Sequence, residues 1–282
     1  MRREKTMSGV SEKVAVITGA ARGQGRSHAM RLAEQGVDIV AVDICEPIAS
    51  MPYPMATPDE LAETVSLVER AGQRAVGVQA DVRDGAALSD SVAKAVADFG
   101  GRLDIVVANA GVSTIRPTEG TSNEQIWQDT VDINMTGVWH TVEACLPHML
   151  EAGYGGSIIL ISSTAGLKGL VGATGTPATL AYTASKHGVV GLMRAYAVRL
   201  AKHSIRVNTV HPTGVRTPMV ENPDLYSYYT QHPEDAAMMR NALPVEAVDA
   251  RDISSAVVWL ASDAARYVTG VTLPVDAGFN VL

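Results

Sequence analysis

The sequence is poor in cysteine, in basic clusters and in long apolar runs. Its 282 residues include only Cys45 and Cys145, which match neither a disulfide framework nor a metal site, so we expect a reducing, cytoplasmic setting. The net charge is −7, and Arg2, Arg3 and Lys5 form the one short basic cluster, which argues against a nucleic-acid partner. No apolar run approaches the roughly 18 residues that a membrane span needs, so no membrane partner is expected.

The sequence does have enough apolar residues for one large core. Apolar residues make up 46% of the chain and charged residues 19%, and α/β chains of this length commonly form a single domain. Residues 1–12 are polar, lack the apolar core of a secretion signal, and are expected to be a disordered lead-in. Residues 13–282 are predicted to form one domain.

Strand-like apolar runs alternate with helical patterns along this domain. Such alternation indicates βαβ units and a parallel sheet with helices on both faces. We therefore predict an α/β, doubly wound parallel sheet of about seven strands, a Rossmann fold. The predicted strands are 14–18, 37–42, 74–80, 103–108, 157–162, 205–210 and 271–275.

A glycine-rich turn follows the first strand and precedes the first helical pattern. Gly19, Gly23 and Gly25 permit a tight turn and a close approach of the backbone to a pyrophosphate, which the helix N-terminus then faces. Asp43 ends the second strand, eighteen residues past Gly25, where a carboxylate can accept both hydroxyls of an adenosine ribose. This combination favours a dinucleotide site over a turn that binds no ligand.

A candidate proton-transfer group lies on the long helical stretch near residue 180. Tyr182 and Lys186 are four residues apart, so both side chains lie on one face of the helix. A nearby ammonium group is expected to lower the pKa of the phenol. Ser162 and Ser163 end a predicted strand, and a serine hydroxyl there can hold the oxygen of an alcohol.

These motifs, with Asn109-Ala110-Gly111 and Asn134, resemble the classical short-chain dehydrogenase/reductase family from about residue 13 to the end. The segments GAARGQG, STAGLKG and HPTGVRTPM, the stretch after the second strand and the ending VDAGFNVL are similar to its carveol dehydrogenase branch, often called mycofactocin-coupled. The seven histidines show no metal-ligand spacing, and no metal is expected.

The resemblance implies roles for four residues. Tyr182 would be the general base for alcohol oxidation, and Lys186 would hold the nicotinamide ribose. Ser163 rather than Ser162 would steady the alcohol oxygen, because it matches the family pattern Ser-x-x-Gly and only one of two adjacent strand residues can face the site. Asn134, on a helix predicted to begin near Ser122, would hold a water in a proton relay.

The resemblance also implies the cofactor contacts. Ala108 and Thr213 depart from the family pattern, and nineteen residues separate Ser163 from Tyr182 where about thirteen are usual, with the extra residues in a predicted loop over 168–180. The expected cofactor-binding residues are Gly19, Ala21, Arg22, Gly23, Gln24, Gly25, Asp43, Asp81, Val82, Asn109, Gly111, Tyr182, Lys186, Pro212, Gly214, Val215 and Thr217.

Two charged residues favour different cofactors. Arg22 resembles the residue that meets a 2′-phosphate in NADP-using relatives, whereas Asp43 would repel that phosphate. We therefore predict NAD and a reversible hydride transfer to or from a secondary alcohol. The alternatives are an NADPH-dependent ketone or 3-oxoacyl reductase, favoured by Arg22, and a non-catalytic NAD-binding sensor or scaffold.

Two segments interrupt the alternation of strands and helices. The proline-rich segment 44–58 is predicted to be a loop, either a plain surface insertion or a flap over the adenosine end. Segment 220–244 is predicted to be a long loop that forms a substrate lid. The apolar character of the lid favours a cyclic, terpenoid-like alcohol; the residues concerned are Leu225, Tyr226, Tyr228, Tyr229, Met238 and Met239.

The branch and the family imply further partners. The branch resemblance implies a tightly bound NAD whose reducing equivalents pass to a separate, mycofactocin-type redox partner. The family resemblance implies a homotetramer formed through the helices that contain Asn134 and Tyr182.

Overall fold

A computed structural model describes residues 9–10, 12–170 and 175–282, and these residues build one parallel sheet with helices on both faces. The seven strands lie in the order β3-β2-β1-β4-β5-β6-β7, and every pairing is parallel. The order reverses between β1 and β4, which opens a crevice at the carboxyl ends of these strands. The predicted fold class is confirmed.

All seven predicted strands are present: β1 has the predicted ends, and the ends of the other six differ by at most two residues. The central strands read as continuous apolar runs because both of their faces are covered by helices. The strands are β1 Val14–Thr18, β2 Asp38–Asp43, β3 Ala75–Gln79, β4 Ile105–Ala108, β5 Gly156–Ile161, β6 Ile205–Pro212 and β7 Thr272–Val275.

The described residues contain nine α-helices. Two of them, α7 and α8, lie in the segment between β6 and α9. They are α1 Gly23–Ala33, α2 Pro58–Arg70, α3 Gly85–Ala97, α4 Asn123–Val131, α5 Gly137–Ala152, α6 Pro177–Leu200, α7 Pro223–Gln231, α8 Pro233–Met238 and α9 Ala250–Ala261. Helices α3, α5 and α6 contribute to one apolar core, and α1, α2 and α9 contribute to the core on the other face. None of the described helices has the length and apolar content needed to cross a bilayer.

Most of the predicted lead-in, residues 1–8 and 11, lies outside the described residues. Val10 is different, because its side chain is fully buried in the core on the α1 and α9 face. The main-chain amide of Glu12 donates to the carbonyl of Gly36, 2.9 Å away. The packed part of the chain therefore begins a few residues earlier than predicted.

The helix predicted to begin near Ser122 changes its pitch at Asn134. The Ser122 hydroxyl accepts from the Gln125 amide at 3.1 Å, and α4 follows it. A π-helical turn over Asp132–Thr136 then joins α4 to α5 and contains Asn134. Such turns re-aim side chains and are frequent at functional sites.

The two interrupting segments differ from each other in structure. Segment 44–58 is a loop as predicted, except that Pro58 is the first residue of α2, behind a capping box of Thr57 and Glu60. The prediction of a long loop over 220–244 is wrong, because this segment contains α7 and α8. Each of these helices begins with a proline at a position where the missing amide hydrogen costs nothing.

Candidate active site

Two connected cavities lie at the carboxyl ends of the strands. The first, here called the Asp43 cavity, has a volume of about 150 Å³ and extends past the ends of β1, β2 and β4. The second, the Tyr182 cavity, has a volume of about 220 Å³ and lies between the ends of β5 and β6 and the lid. Gln24, Tyr53 and Met219 line both cavities and so form the passage between them.

The predicted site residues divide between these cavities. Four of them line neither: Ala21, Gly25, Asn134 and Lys186 are buried behind the walls. The Asp43 cavity is lined by Gly19, Arg22, Gly23, Gln24, Asp43, Asp81, Val82, Asn109, Gly111 and Thr217. The Tyr182 cavity is lined by Gln24, Ser163, Tyr182, Pro212, Gly214 and Val215.

The glycine turn is closely packed. Gly19 has a φ of +66°, which favours glycine. A Cβ on Gly25 would lie 1.9 Å from the carbonyl oxygen of Gly19, so only glycine lets α1 begin this close to β1. The N-terminus of α1 has no side-chain cap and borders the Asp43 cavity at Gly23 and Gln24, so its free N–H groups suit a diphosphate.

Asp43 is fixed at the end of β2. Its Oδ2 accepts from the Ala21 amide at 2.9 Å and its Oδ1 from the Cys45 amide at 3.4 Å. Burial raises the pKa of Asp43, and these hydrogen bonds with the charge of Arg22 oppose the rise. Arg22 is already engaged: its guanidinium donates to the Pro54 carbonyl and lies 4.0 Å from Glu60. The cavity therefore offers a carboxylate to a ribose, and it offers no free cation at Arg22 to a 2′-phosphate.

The remaining walls of the Asp43 cavity come from the ends of β3 and β4. The Asp81 carboxylate forms an ion pair with Arg83, in which Asp81 Oδ2 lies 2.6 Å from Arg83 Nη2. The Asn109 side chain donates to the carbonyls of Thr18 and Gly19 at 2.9 and 3.2 Å. Asn109 thus braces the glycine turn against β4. The predicted contact of Asp81 with an adenine stays a prediction.

Ser163, Tyr182 and Lys186 meet beside the Tyr182 cavity. Ser163 and Tyr182 both line this cavity, and the Ser163 hydroxyl is close enough to act on the pKa of the phenol as a hydrogen-bond partner. Lys186 is almost completely buried, its Nζ donates to the Ile161 carbonyl at 2.9 Å, and it lies 5.6 Å from the centre of the Tyr182 ring. The neighbouring serine differs, because the Ser162 hydroxyl is bonded to the main-chain carbonyl of Lys186 at 3.0 Å.

The prediction that Lys186 lowers the pKa of Tyr182 is wrong for this structure. Burial raises the pKa of Tyr182, and the hydrogen bond from Ser163 offsets only part of the rise. The same burial lowers the pKa of Lys186 to about 8. Both effects have one physical cause, since removal from water disfavours the phenolate and the ammonium alike.

Asn134 is tied to the loop after β4. Its Oδ1 accepts from the Val112 amide at 2.9 Å and its Nδ2 donates to the Val112 carbonyl at 2.8 Å. A Cβ on Gly111 would lie 2.8 Å from Asn134 Oδ1 and 3.6 Å from Lys186 Nζ, so Gly111 lets this loop pass close to both groups. In this structure Asn134 braces the loop, and the predicted water relay stays a prediction.

Sequence reasoning missed two residues of the site. The Nδ1 of His211 is 2.7 Å from the Ser163 carbonyl, and its Nε2 is 2.7 Å from the Thr209 hydroxyl. A carbonyl only accepts, so Nδ1 carries the hydrogen and Nε2 accepts from Thr209. Tyr53, from the 44–58 loop, lines both cavities. For His211 the sequence offered one signal, because this residue directly precedes Pro212, a predicted site residue at the end of β6. For Tyr53 it offered only an aromatic residue among prolines.

The loop between Ser163 and Tyr182 is shorter than predicted. Residues 171–174 lie outside the described part of the chain, and Pro177 already begins α6, so 177–180 is helix rather than loop. Leu170 and Thr179, on either side, line the Tyr182 cavity.

The lid supplies part of the apolar wall of the Tyr182 cavity. Tyr226 is the exception among the predicted lid residues, because its side chain is 79% exposed and points away. The lid also contains a buried carboxylate, Asp235, which accepts from the Tyr228 hydroxyl. The lid residues that line the cavity include Leu225, Tyr228, Tyr229, Met238 and Met239. No group of three or more His, Cys, Asp or Glu side chains in the described residues is arranged to hold a metal ion.

Comparisons with known proteins agree with this geometry. A family model described as Enoyl-(Acyl carrier protein) reductase matches residues 19–280. The (-)-trans-carveol dehydrogenase of Rhodococcus erythropolis is 46% identical over 280 residues, covering 96% of this chain and 99% of that protein. The crystal structure of carveol dehydrogenase from Mycobacterium avium in complex with NAD has a TM-score of 0.89 at 52% identity, covering 98% of this chain and 100% of that one. A short chain dehydrogenase from Mycobacterium paratuberculosis bound to NAD has a TM-score of 0.88 at 46% identity, with 97% and 100% covered.

Proposed function

The chain belongs to the short-chain dehydrogenase/reductase family, and we propose from this premise how its residues perform the reaction. It is an NAD-dependent oxidoreductase of secondary alcohols in the carveol dehydrogenase-like branch. The observation that carries the proposed mechanism is the meeting of Ser163 and Tyr182 at one cavity, with the buried Lys186 5.6 Å behind the Tyr182 ring. This pair lies in the cavity next to the one that suits a dinucleotide.

In alcohol oxidation, Tyr182 takes the hydroxyl proton and Ser163 holds the alcohol oxygen by a hydrogen bond. NAD, when bound, would supply the pyridinium carbon that accepts the hydride, and its positive charge would favour the phenolate of Tyr182. In ketone reduction, Tyr182 returns the proton to the carbonyl oxygen. The raised pKa of Tyr182 keeps its proton available at neutral pH for this direction. Lys186, with a pKa of about 8, would hold the nicotinamide ribose and exchange protons behind Tyr182.

The residues present fit NAD. The uncapped N-terminus of α1 suits the diphosphate, and Asp43 suits the adenosine ribose. The Oε1 of Gln24, at the passage between the cavities, is buried and has no hydrogen-bond partner among the described residues, as expected of a group that meets a ligand. The segment from Pro212 to Thr217 would hold the nicotinamide end.

The proposed substrate is a cyclic, apolar, terpenoid-like secondary alcohol. The lid presents apolar and aromatic side chains to a cavity of about 220 Å³, a volume that suits a small ring system. The similarity to a (-)-trans-carveol dehydrogenase supports the same class.

Replacing Tyr182 separates this proposal from a non-catalytic NAD-binding sensor or scaffold. We expect Tyr182→Phe to lower kcat by about 10²- to 10⁴-fold while NAD binding persists, because the variant loses only the proton-transfer group. The exposed lid residue provides the control, since Tyr226→Phe should change neither quantity. Full turnover by Tyr182→Phe would contradict the assigned role.

We further propose that NAD stays bound between turnovers and passes its reducing equivalents to a separate, mycofactocin-type redox partner. The 44–58 loop supports this, because it is packed against the Asp43 cavity through the buried side chains of Ile48, Tyr53 and Ala56. The Arg22 guanidinium ties it to the glycine turn by donating to the Pro54 carbonyl. A loop held in this way acts as a flap rather than as a plain insertion.

Purified holoenzyme tests this retention. We expect NAD to leave only on denaturation, and alcohol oxidation to require an artificial electron acceptor in place of added NAD. Rapid turnover of free NAD would contradict retention and the separate partner, while leaving the hydride transfer itself intact.

The alternative of an NADPH-dependent ketone or 3-oxoacyl reductase rested on Arg22. This alternative loses support, because the Arg22 guanidinium is already bonded to Pro54 and Asp43 faces the same cavity. Faster turnover with NADPH than with NADH would restore it.

A homotetramer in the cytoplasm completes the proposal. Trp127 on α4, Trp139 on α5 and Val198 on α6 are 42%, 44% and 81% exposed, which leaves apolar side chains on the helices that flank Asn134 and Tyr182. We expect light scattering to give a mass of four chains, and Trp139→Glu to give smaller species. A monomeric wild type would contradict the assembly.

A further inference from the structure

Tyr53 belongs to the 44–58 loop, yet its side chain reaches both cavities. Its hydroxyl oxygen accepts from the main-chain amide of Ser113 at 3.2 Å. Ser113 and the neighbouring Pro52 line the Tyr182 cavity and do not line the Asp43 cavity. The hydroxyl end of Tyr53 therefore lies on the side where the alcohol is expected, and its ring lies at the passage between the two cavities.

The position of this hydroxyl is fixed by the loop around it. The Ser50 hydroxyl donates to Asp129 Oδ2 on α4 at 2.6 Å, and the Ser50 carbonyl accepts from the Thr118 amide at 3.2 Å. Tyr53 itself is only 8% exposed. These contacts hold the phenol in place before any ligand arrives, which reduces the entropy lost on binding.

The hydroxyl has one hydrogen bond left to give. A tyrosine hydroxyl can donate once and accept through its lone pairs, and the Ser113 amide occupies an acceptor position. Within residues 12–170 and 175–282, no acceptor receives its hydrogen. Burial raises the pKa of Tyr53 to about 12, and the nearby Tyr182 adds to the rise, so the hydroxyl keeps this hydrogen throughout the neutral range.

We propose that Tyr53 is a substrate-binding residue of the Tyr182 cavity, which donates a hydrogen bond to a second oxygen of the alcohol. The inference rests on the proposed function. The reacting oxygen already has Ser163 and Tyr182 as partners, so the hydrogen of Tyr53 is directed to another acceptor on the ring. Cyclic alcohols that carry an ether, keto or second hydroxyl oxygen away from the reacting carbinol are therefore the preferred substrates within the apolar class.

A pair of alcohols matched in shape tests this specificity. Wild-type holoenzyme, assayed with an artificial acceptor, should have a KM for 4-methoxycyclohexanol about ten-fold below that for 4-ethylcyclohexanol, since one neutral hydrogen bond contributes about that much. Tyr53→Phe should raise the KM for the methoxy compound to the level of the ethyl compound. The phenyl ring keeps its packing, so the KM for the ethyl compound should change far less than that for the methoxy compound, and the bound NAD should be retained.

Each other outcome overturns part of the account. A Tyr53→Phe variant that keeps the wild-type preference, or that loses both substrates equally, overturns the substrate contact. A loss of NAD content on this substitution instead places the hydroxyl against the cofactor and also overturns it. A wild type with bound NAD that oxidises neither alcohol contradicts the proposed function, and this inference with it. Tyr226→Phe is the matched control, because it removes the hydroxyl of an exposed tyrosine outside the cavity. It should leave the KM for both alcohols unchanged.

Discussion

The Asp43 cavity and the Tyr182 cavity are built in different ways. The Asp43 cavity consists mainly of residues at strand ends, held by main-chain hydrogen bonds such as that from the Ala21 amide to Asp43. The Tyr182 cavity has a fixed floor at Ser163 and Tyr182, but its remaining walls come from the lid and from loops far apart in the sequence. The comparison shows that the cofactor half depends on local backbone geometry, whereas the substrate half depends on which distant segments meet.

The largest expected effect tests how rigid the Asp43 cavity is. In Gly25→Ala the new methyl group would lie 1.9 Å from the Gly19 carbonyl oxygen, so the glycine turn must shift. We expect the free energy of unfolding to fall by about 3 kcal/mol and bound NAD to be lost, as measured by urea denaturation and cofactor content.

Gly191→Ala on α6 is the matched control for this change. No atom lies within 4 Å of its added Cβ, and alanine favours a helix over glycine by up to about 1 kcal/mol. Equal stability of the two variants would show that the glycine turn tolerates movement, and the contrast between the cavities would weaken.

Asp43→Ala tests the electrostatic part of the same contrast. The carboxylate holds the Ala21 amide and repels a 2′-phosphate, so we expect NAD affinity to fall about thirty-fold while that for NADP rises. Equilibrium binding of both cofactors to protein that has been stripped of NAD by denaturation and then refolded measures this. Asp38→Ala, at the opposite end of β2, should leave the preference unchanged, and an unaltered preference in Asp43→Ala would contradict the account.

The helices under the Asp43 cavity give a pH-dependent prediction. His28 on α1 is fully buried, bonded to Ser254 on α9 at 2.8 Å, and burial lowers its pKa from 6.5 to about 3. Between these values the unfolded state binds a proton that the folded state does not, so stability falls as the pH falls.

For His28 the loss between pH 7 and pH 5 should be about 2 kcal/mol in urea denaturation. We expect His28→Leu to remove about this much of the pH dependence, whereas replacing the exposed His203 should remove none. A variant as pH-dependent as the wild type would show that His28 is not the group responsible.

The smallest expected effect concerns the fixed floor of the Tyr182 cavity. His211 positions Ser163 through a hydrogen bond to its carbonyl, so His211→Leu should lower kcat about ten-fold with little change in KM or bound NAD. His211→Asn should restore most of the activity, because its Nδ2 can donate from the same place as the histidine Nδ1. Equal losses in both variants would indicate a packing role alone.

The sequence was sufficient for the parts of the molecule that depend on local pattern. The apolar strands, the glycine turn with Asp43, and the pairing of Tyr182 with Lys186 one helical turn away all follow from short-range periodicity and spacing. The two helices of the lid were missed, although Pro223 and Pro233 each stand at a position where a helix can begin.

Contacts between residues far apart in the chain could not be predicted from the sequence. The pKa direction of Tyr182 was predicted wrongly because spacing reports the nearby Lys186 and not the removal of the phenol from water that outweighs it. The hydrogen bonds of Asn134 to Val112 and of Tyr53 to Ser113 join residues 22 and 60 positions apart. No local pattern specifies such contacts.

The most direct test of the central claim follows the hydrogen itself. Holoenzyme is mixed with 4-ethylcyclohexanol that carries deuterium on its carbinol carbon, and the cofactor is then released by denaturation and examined by mass spectrometry and NMR. The account predicts deuterium at C4 of the reduced nicotinamide. Deuterium in the solvent, with ketone formed and no label on the cofactor, would contradict it.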